Sequence, residues 1–148
     1  MYNLLIVDDE QYAIDGIKVS LNWEEYHIED IYTALNVRQA KKIFKDKKID
    51  ILLCDIEMPG LNGLQLLNKI NEEYSEIIII LLTGHAKFDY AQIALKQGCF
   101  DYLLKPIEHK KIEETVVKAL KNIEKKREHK EFLDIYNKFS ELWKKQHP

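Results

Sequence analysis

An α/β fold built on a doubly wound parallel sheet is predicted by two observations. Short apolar runs alternate five times with amphipathic segments, and the strongest runs are continuously apolar rather than alternating. Continuous apolarity at residues 4–7 and 77–82 fits strands covered on both faces, as crossover helices require. A third observation sharpens the reading: Asp8, Asp9, Asp55, Thr83 and Lys105 each stand where an apolar run ends. Open α/β sheets bind ligands beyond the carboxyl ends of their strands, so five dispersed polar residues are expected in one pocket.

The elements follow in order. A strand at 4–7 leads to a helix at 11–22, and a strand at 28–34 to a helix at 36–46. A strand at 49–54 is followed by the turn-rich Met58-Pro59-Gly60-Leu61-Asn62-Gly63 and a helix at 63–74. The strand at 77–82 precedes a helix at 88–97, which Gly98 ends, and the strand at 100–104 precedes helical spacing from Glu108. There Ile112, Val116, Ala119, Leu120 and Ile123 share one face. Polar residues 124–131 interrupt the apolar spacing, which resumes at Phe132, Ile135, Tyr136, Phe139, Leu142 and Trp143. Residues 1–122 therefore read as one domain and 123–148 as a helical linker or dimerisation extension. Spacings of three and four in the extension match a short coiled-coil seam, for which a second chain is the expected cover.

A chain of 148 residues, 46% hydrophobic, suits a single domain with a sizeable core. Its 22 Lys and Arg against 25 Asp and Glu leave a charge of −3, so no global field favours nucleic acid or anionic lipid. The basic run Arg38, Lys41, Lys42, Lys45, Lys47 and Lys48 reads as a solvated face, and direct nucleic-acid binding is not expected. Cys54 and Cys99 read as small core residues in a reducing compartment. No apolar stretch approaches the roughly 20 residues that span a bilayer, so a cytoplasmic protein is expected.

Carboxylates converging on one spot repel by about 4 kcal/mol per pair at ~4 Å and an effective dielectric near 20. Lys105 supplies one positive charge against Asp8, Asp9 and Asp55, and a divalent cation is the natural remainder. The donors are all hard oxygens, which favours Mg²⁺ over zinc. Magnesium beside a nucleophilic carboxylate, with a lysine and a threonine hydroxyl nearby, is the equipment for receiving a phosphoryl group. Asp55 would carry it, with Lys105 and Thr83 meeting the phosphoryl oxygens. The competing reading makes Asp8 and Asp9 helix caps.

The motifs Val7-Asp8-Asp9-Glu10, Cys54-Asp55-Ile56-Glu57-Met58-Pro59-Gly60, Leu82-Thr83-Gly84 and Tyr102-Leu103-Leu104-Lys105-Pro106 resemble the receiver domain of bacterial two-component response regulators. The resemblance implies a flavodoxin-like sheet of order 2-1-3-4-5, Asp55 as phosphoacceptor and a sensor histidine kinase as partner. It implies that Asp9 and Asp55 bind Mg²⁺ directly, Asp8 through water and Glu57 through its backbone carbonyl. It further implies a cis bond between Lys105 and Pro106. Thr83 and Tyr102 become the switch, with output on the face formed by the helix at 88–97, the strand at 100–104 and the helix from Glu108. His85, two positions after Thr83, reads as a solvated loop histidine, the alternative being that it shields or orients water at the aspartyl phosphate.

The run from Leu82 through Phe88-Asp89-Tyr90-Ala91 to Gly98-Cys99-Phe100-Asp101-Tyr102 is similar to a subset usually fused to an arabinose-operon-type helix-turn-helix DNA-binding domain. No such domain is present in this sequence, and the chain is expected to be a fragment of a longer transcription regulator. It is not expected to be an enzyme beyond its own phosphorylation and dephosphorylation. Two alternatives are a haloacid-dehalogenase-like Mg²⁺-dependent phosphatase, which needs a second aspartate where Glu57 stands, and a pseudo-receiver scaffold.

Overall fold

β1 (Tyr2–Val7), β2 (Ile28–Ala34), β3 (Ile51–Asp55), β4 (Ile78–Thr83) and β5 (Asp101–Leu104) pair in parallel in one sheet, in the order β2-β1-β3-β4-β5. This computed structural model describes residues 1–58, 63–74, 76–84, 92, 95–96 and 98–147. The expected turn at residues 59–62, the pocket reading of His85 and most of the expected helix at 88–97 lie outside the described residues. Gly98 adopts a φ of 101°, a left-handed conformation that glycine reaches without steric cost, and its N–H donates to the Leu95 carbonyl.

Successive side chains of a strand point to opposite faces, and both faces here are apolar. Leu4, Ile6, Ile51, Leu53, Ile80 and Leu82 pack on one side with Ile14 and Ile17 of α1 (Gln11–Lys18). Leu5, Val7, Leu52, Cys54, Ile79 and Leu81 pack on the other against α2 (Val37–Asp46) and α3 (Gly63–Glu73), through Ala40, Phe44, Leu66, Leu67 and Ile70. Asn36 caps α2, its Oδ1 accepting the Gln39 N–H at 2.9 Å. Cys54 and Cys99 are buried, and burial pushes both thiols up, Cys99 to about 11, as expected of core residues.

The helix expected over 11–22 stops at Lys18. Trp23 donates its indole N–H to the Lys18 carbonyl at 3.0 Å, and Ser20 Oγ donates to the Ile17 carbonyl at 2.6 Å. Both bonds satisfy carbonyls that a continuing helix would have used. Trp23–Tyr26 then forms a 3₁₀ turn with Trp23 buried in the core. β3 and β4 begin later than expected and include Asp55 and Thr83 as their last residues.

α4 (His109–Gln146) is one unbroken helix of 38 residues, about 57 Å long at ~1.5 Å per residue. Its first half buries Ile112, Thr115, Val116, Ala119 and Ile123 against the α1 side of the sheet. The expected boundary at residue 122 falls inside this packed stretch, and the polar interval 124–131 also contacts the receiver. Arg127 Nη2 lies 3.2 Å from Oδ1 of the buried Asp50, while its guanidinium sits 5.0 Å from the centre of the Tyr2 ring. The Tyr2 hydroxyl is hydrogen-bonded to the Glu124 carboxylate. Oδ2 of Asp50 accepts the Asn3 N–H at 2.8 Å, so these contacts tie α4 to the amino-terminal ends of β1 and β3. No helix among the described residues is long and apolar enough to cross a membrane.

Candidate functional site

Parallel pairing delivers the pocket residues together, because every strand ends on the same edge of the sheet. Asp8 and Asp9 follow β1, Asp55 ends β3, Thr83 ends β4 and Lys105 follows β5. One carboxylate oxygen from each of Asp8, Asp9 and Asp55 lies within 4.8 Å of the others. Asp8 and Asp55 are buried and Asp9 is exposed.

Lys105 faces this cluster. Its Nζ lies 3.0 Å from Asp8 Oδ2 and 3.5 Å from Asp55 Oδ2. Partial burial lowers the Lys105 ammonium, but the hydrogen bond to Asp8 and the charges of Asp55 and Asp8 outweigh that, and the net shift is upward. Asp55 also shifts upward, which for a carboxyl favours the neutral form. Burial raises its pKa, and neither the Glu57 N–H at 3.1 Å on Oδ1 nor the Lys105 charge cancels the rise, which reaches about 6. Asp8 is held at both oxygens, Oδ1 accepting the Glu10 N–H at 3.0 Å and Oδ2 the Lys105 ammonium.

The residue at the start of α1 is Glu10, and its own side chain caps no helix N–H. Thr83 is buried, with its hydroxyl donating to the Gly84 carbonyl at 3.2 Å. Tyr102 is half-buried against the α2–α3 side of the core. The Glu57 side chain reaches across to accept the Gly84 N–H at 3.3 Å, a contact that sequence reasoning missed. A Cβ at Gly84 would lie 3.3 Å from the same Glu57 oxygen, the end of an exposed side chain that a few tenths of an ångström of movement would clear. The Lys105–Pro106 bond is cis. A groove of about 470 Å³ opens beside Asp8 and Lys105, lined by Tyr12, Gly16, Ile107 and His109 among others. Arg38, Lys41, Lys42, Lys45, Lys47 and Lys48 are all exposed.

The donor set fits a hard divalent cation. Three carboxylates facing one ammonium leave residual negative charge, and the converging atoms are oxygens. What the arrangement can do is present a buried carboxylate as a nucleophile between an ammonium and a cation site.

Sequence comparison agrees with the fold. The chain matches the response regulator receiver domain over residues 4–117 and belongs to that family. The transcriptional regulatory protein HptR of Staphylococcus aureus is 33% identical over 113 residues, which is 76% of this chain and 44% of that protein. An uncharacterized transcriptional regulatory protein of Bacillus subtilis, YesN, is 32% identical over 130 residues, 88% of this chain and 35% of that protein. The chain therefore spans less than half the length of these curated relatives. The receiver domain of AraT, a response regulator from Geobacillus stearothermophilus, superposes with a TM-score of 0.80 at 32% identity, covering 85% of this chain and 98% of that one.

Proposed function

We propose that this receiver is a phosphorylation-activated switch that accepts a phosphoryl group on Asp55 from a sensor histidine kinase. The observation that carries the reading is the buried Asp55 carboxylate, flanked by Lys105 and within 4.8 Å of the Asp8 and Asp9 oxygens. A carboxylate oxygen of Asp55 attacks phosphorus, the phosphorus bond to the donor breaks, and its electron pair leaves with the donor. Lys105 offsets negative charge on the transferred group, and Asp8 keeps Lys105 in place through both its hydrogen bond and its charge.

Asp8, Asp9, Asp55 and the Glu57 backbone carbonyl would hold Mg²⁺. The ion would supply charge neutralisation at the phosphoryl oxygens. Thr83 would exchange its bond to the Gly84 carbonyl for one to the phosphoryl group, and Tyr102 would follow. A phosphoryl group shifts a two-state balance only by its differential contacts with the active arrangement, which here run through Thr83 and Lys105. The change would be read on the face carrying β5 and α4. By analogy with the relatives, the readout would be control of transcription in the cytoplasm through a DNA-binding domain.

Mass spectrometry after acetyl phosphate treatment tests the assignment. One added phosphoryl group is expected with Mg²⁺, none with a chelator, and none on Asp55→Asn. Equal labelling in all three would end the reading.

A further inference from the structure

Three grooves that share none of the pocket residues join into one basic track. The first, of about 580 Å³, lies between α2 and α3, where Arg38, Lys41, Lys42 and Lys45 of one helix face Lys69 of the other. A second shares Lys45 and Tyr74 with it and continues past Lys47 to Lys48. A third, of about 270 Å³, shares Lys48 with the second and reaches Lys126, Arg127 and Lys130 of α4. Spacing along α2 alone suggests a solvated face, but the fold brings Lys69 and the α4 cations into line with it. Ten cationic side chains line the track against Asp46, Asp50, Glu73 and Glu76, a net charge of +6. The whole chain carries −3, so the remainder carries −9 and the asymmetry is local to this track. Of α4, only Ile123 and the three cations line it, whereas Glu124, Glu128 and Glu131 do not.

We propose that this track lies along the phosphate backbone of duplex DNA. Lys41 and Lys69 stand side by side on different helices, and the contact with Lys69 and its charge hold the Lys41 ammonium below its ordinary value. A phosphate seated between them relieves that repulsion. Arg38 and Lys45 lie three positions before and four after Lys41, so cations recur about once per turn, every ~5.4 Å, along α2. A row of that kind, continued to Lys48 and Lys130, fits a chain of phosphates better than a single one. A lipid surface fits less well, because the apolar residues under the track, Phe44, Ile49, Leu66 and Ile70, are buried and offer nothing to insert. The choice of DNA over other polyanions rests on the transcriptional role proposed above. Contacts to phosphates position a protein without reading bases, so this binding is independent of sequence and weakens with salt.

Fluorescence anisotropy of a labelled duplex of arbitrary sequence, titrated with the full chain at low salt, tests the track. The wild type should bind with a Kd of roughly micromolar order at about 50 mM salt. Lys41→Gln with Lys69→Gln should weaken binding about ten-fold and reduce the salt slope by about 2, and Lys48→Gln with Lys130→Gln should do the same. Lys18→Gln with Lys110→Gln removes equal charge from exposed positions off the track and should leave the Kd within about two-fold. An unbound wild type, or equal weakening in that control, overturns the inference. An unchanged Kd in the Lys48 and Lys130 variant overturns the continuous track, as does displacement of the duplex by ATP at equal phosphate concentration. Tighter binding to phosphatidylserine vesicles or to poly-glutamate than to the duplex overturns the choice of DNA. Acetyl phosphate labelling of Asp55 is read on the same samples: absent DNA binding beside normal labelling faults this inference alone, and DNA binding without labelling faults the pocket reading alone.

Discussion

Asp55 is pulled in opposite directions by burial and by Lys105, and burial wins, leaving its carboxyl near 6. That sets a pH dependence whose sign can be stated. In the absence of metal the folded chain holds the Asp55 proton more tightly than the unfolded chain, whose carboxyl titrates near ~3.9. Folded stability should therefore fall as pH rises from about 4 to 6, by on the order of 3 kcal/mol. Urea unfolding with a chelator should show Asp55→Asn more stable than wild type above pH ~6, with the two converging near pH ~4. A gap that stays constant across that range would show that Asp55 is not the titrating group. Thr83→Ala removes a buried hydroxyl whose bond to Gly84 contributes about 1 kcal/mol. It should still accept label from acetyl phosphate, yet Tyr102 amide shifts on adding beryllofluoride should disappear. If those shifts persist, Thr83 does not couple the pocket to β5. The pocket residues were legible in the sequence because a charge that ends an apolar run has no packing role to play. Glu57 to Gly84 was not, since a side chain crossing between two strand ends leaves no mark in either motif.

Elements were legible where period and punctuation agreed. Both faces of every inner strand are apolar, so the continuous runs gave the parallel sheet but hid which residues face which helix layer. α1 was overextended because Ile17 and Leu21 keep helical spacing across its true end. What stops it is a pair of side-chain bonds, from Trp23 and Ser20, that spacing cannot reveal. Trp23→Phe keeps the ring and deletes the donor, and should cost about 1 kcal/mol in urea unfolding. The contact of Arg127 with Asp50 was equally hidden, since its partners lie 77 residues apart and each is ordinary alone. Arg127→Ala leaves a buried carboxylate without that partner. Because the arginine is 42% exposed, the cost should be about 1–2 kcal/mol rather than that of a fully buried pair. Amide exchange over residues 124–131 should speed up in this variant, whereas unchanged protection would show that α4 holds its course without the contact.

For the whole molecule, the sequence placed the end of the folded unit at residue 122, yet Ile123, Glu124 and Arg127 all bind the receiver. A chain ending at Asn122 should melt several degrees below one ending at Glu131, and equal melting temperatures would show that these contacts add no stability to the receiver. The two strands tied to α4 at their amino-terminal ends, β1 and β3, are the same two that deliver Asp8, Asp9 and Asp55 at their carboxyl ends. The helix beyond Arg127 is a lever arm of about 28 Å at ~1.5 Å per residue. Swinging it by about 10° about its last anchor would carry its tip by roughly 5 Å, although the anchor itself need shift by only a fraction of an ångström. Mechanical gain of that kind means an adjustment in the sheet too small to alter its packing is readable as a displacement at Trp143. If the pocket switches as proposed, a partner on that helix would receive the signal as a change of position rather than a change of shape.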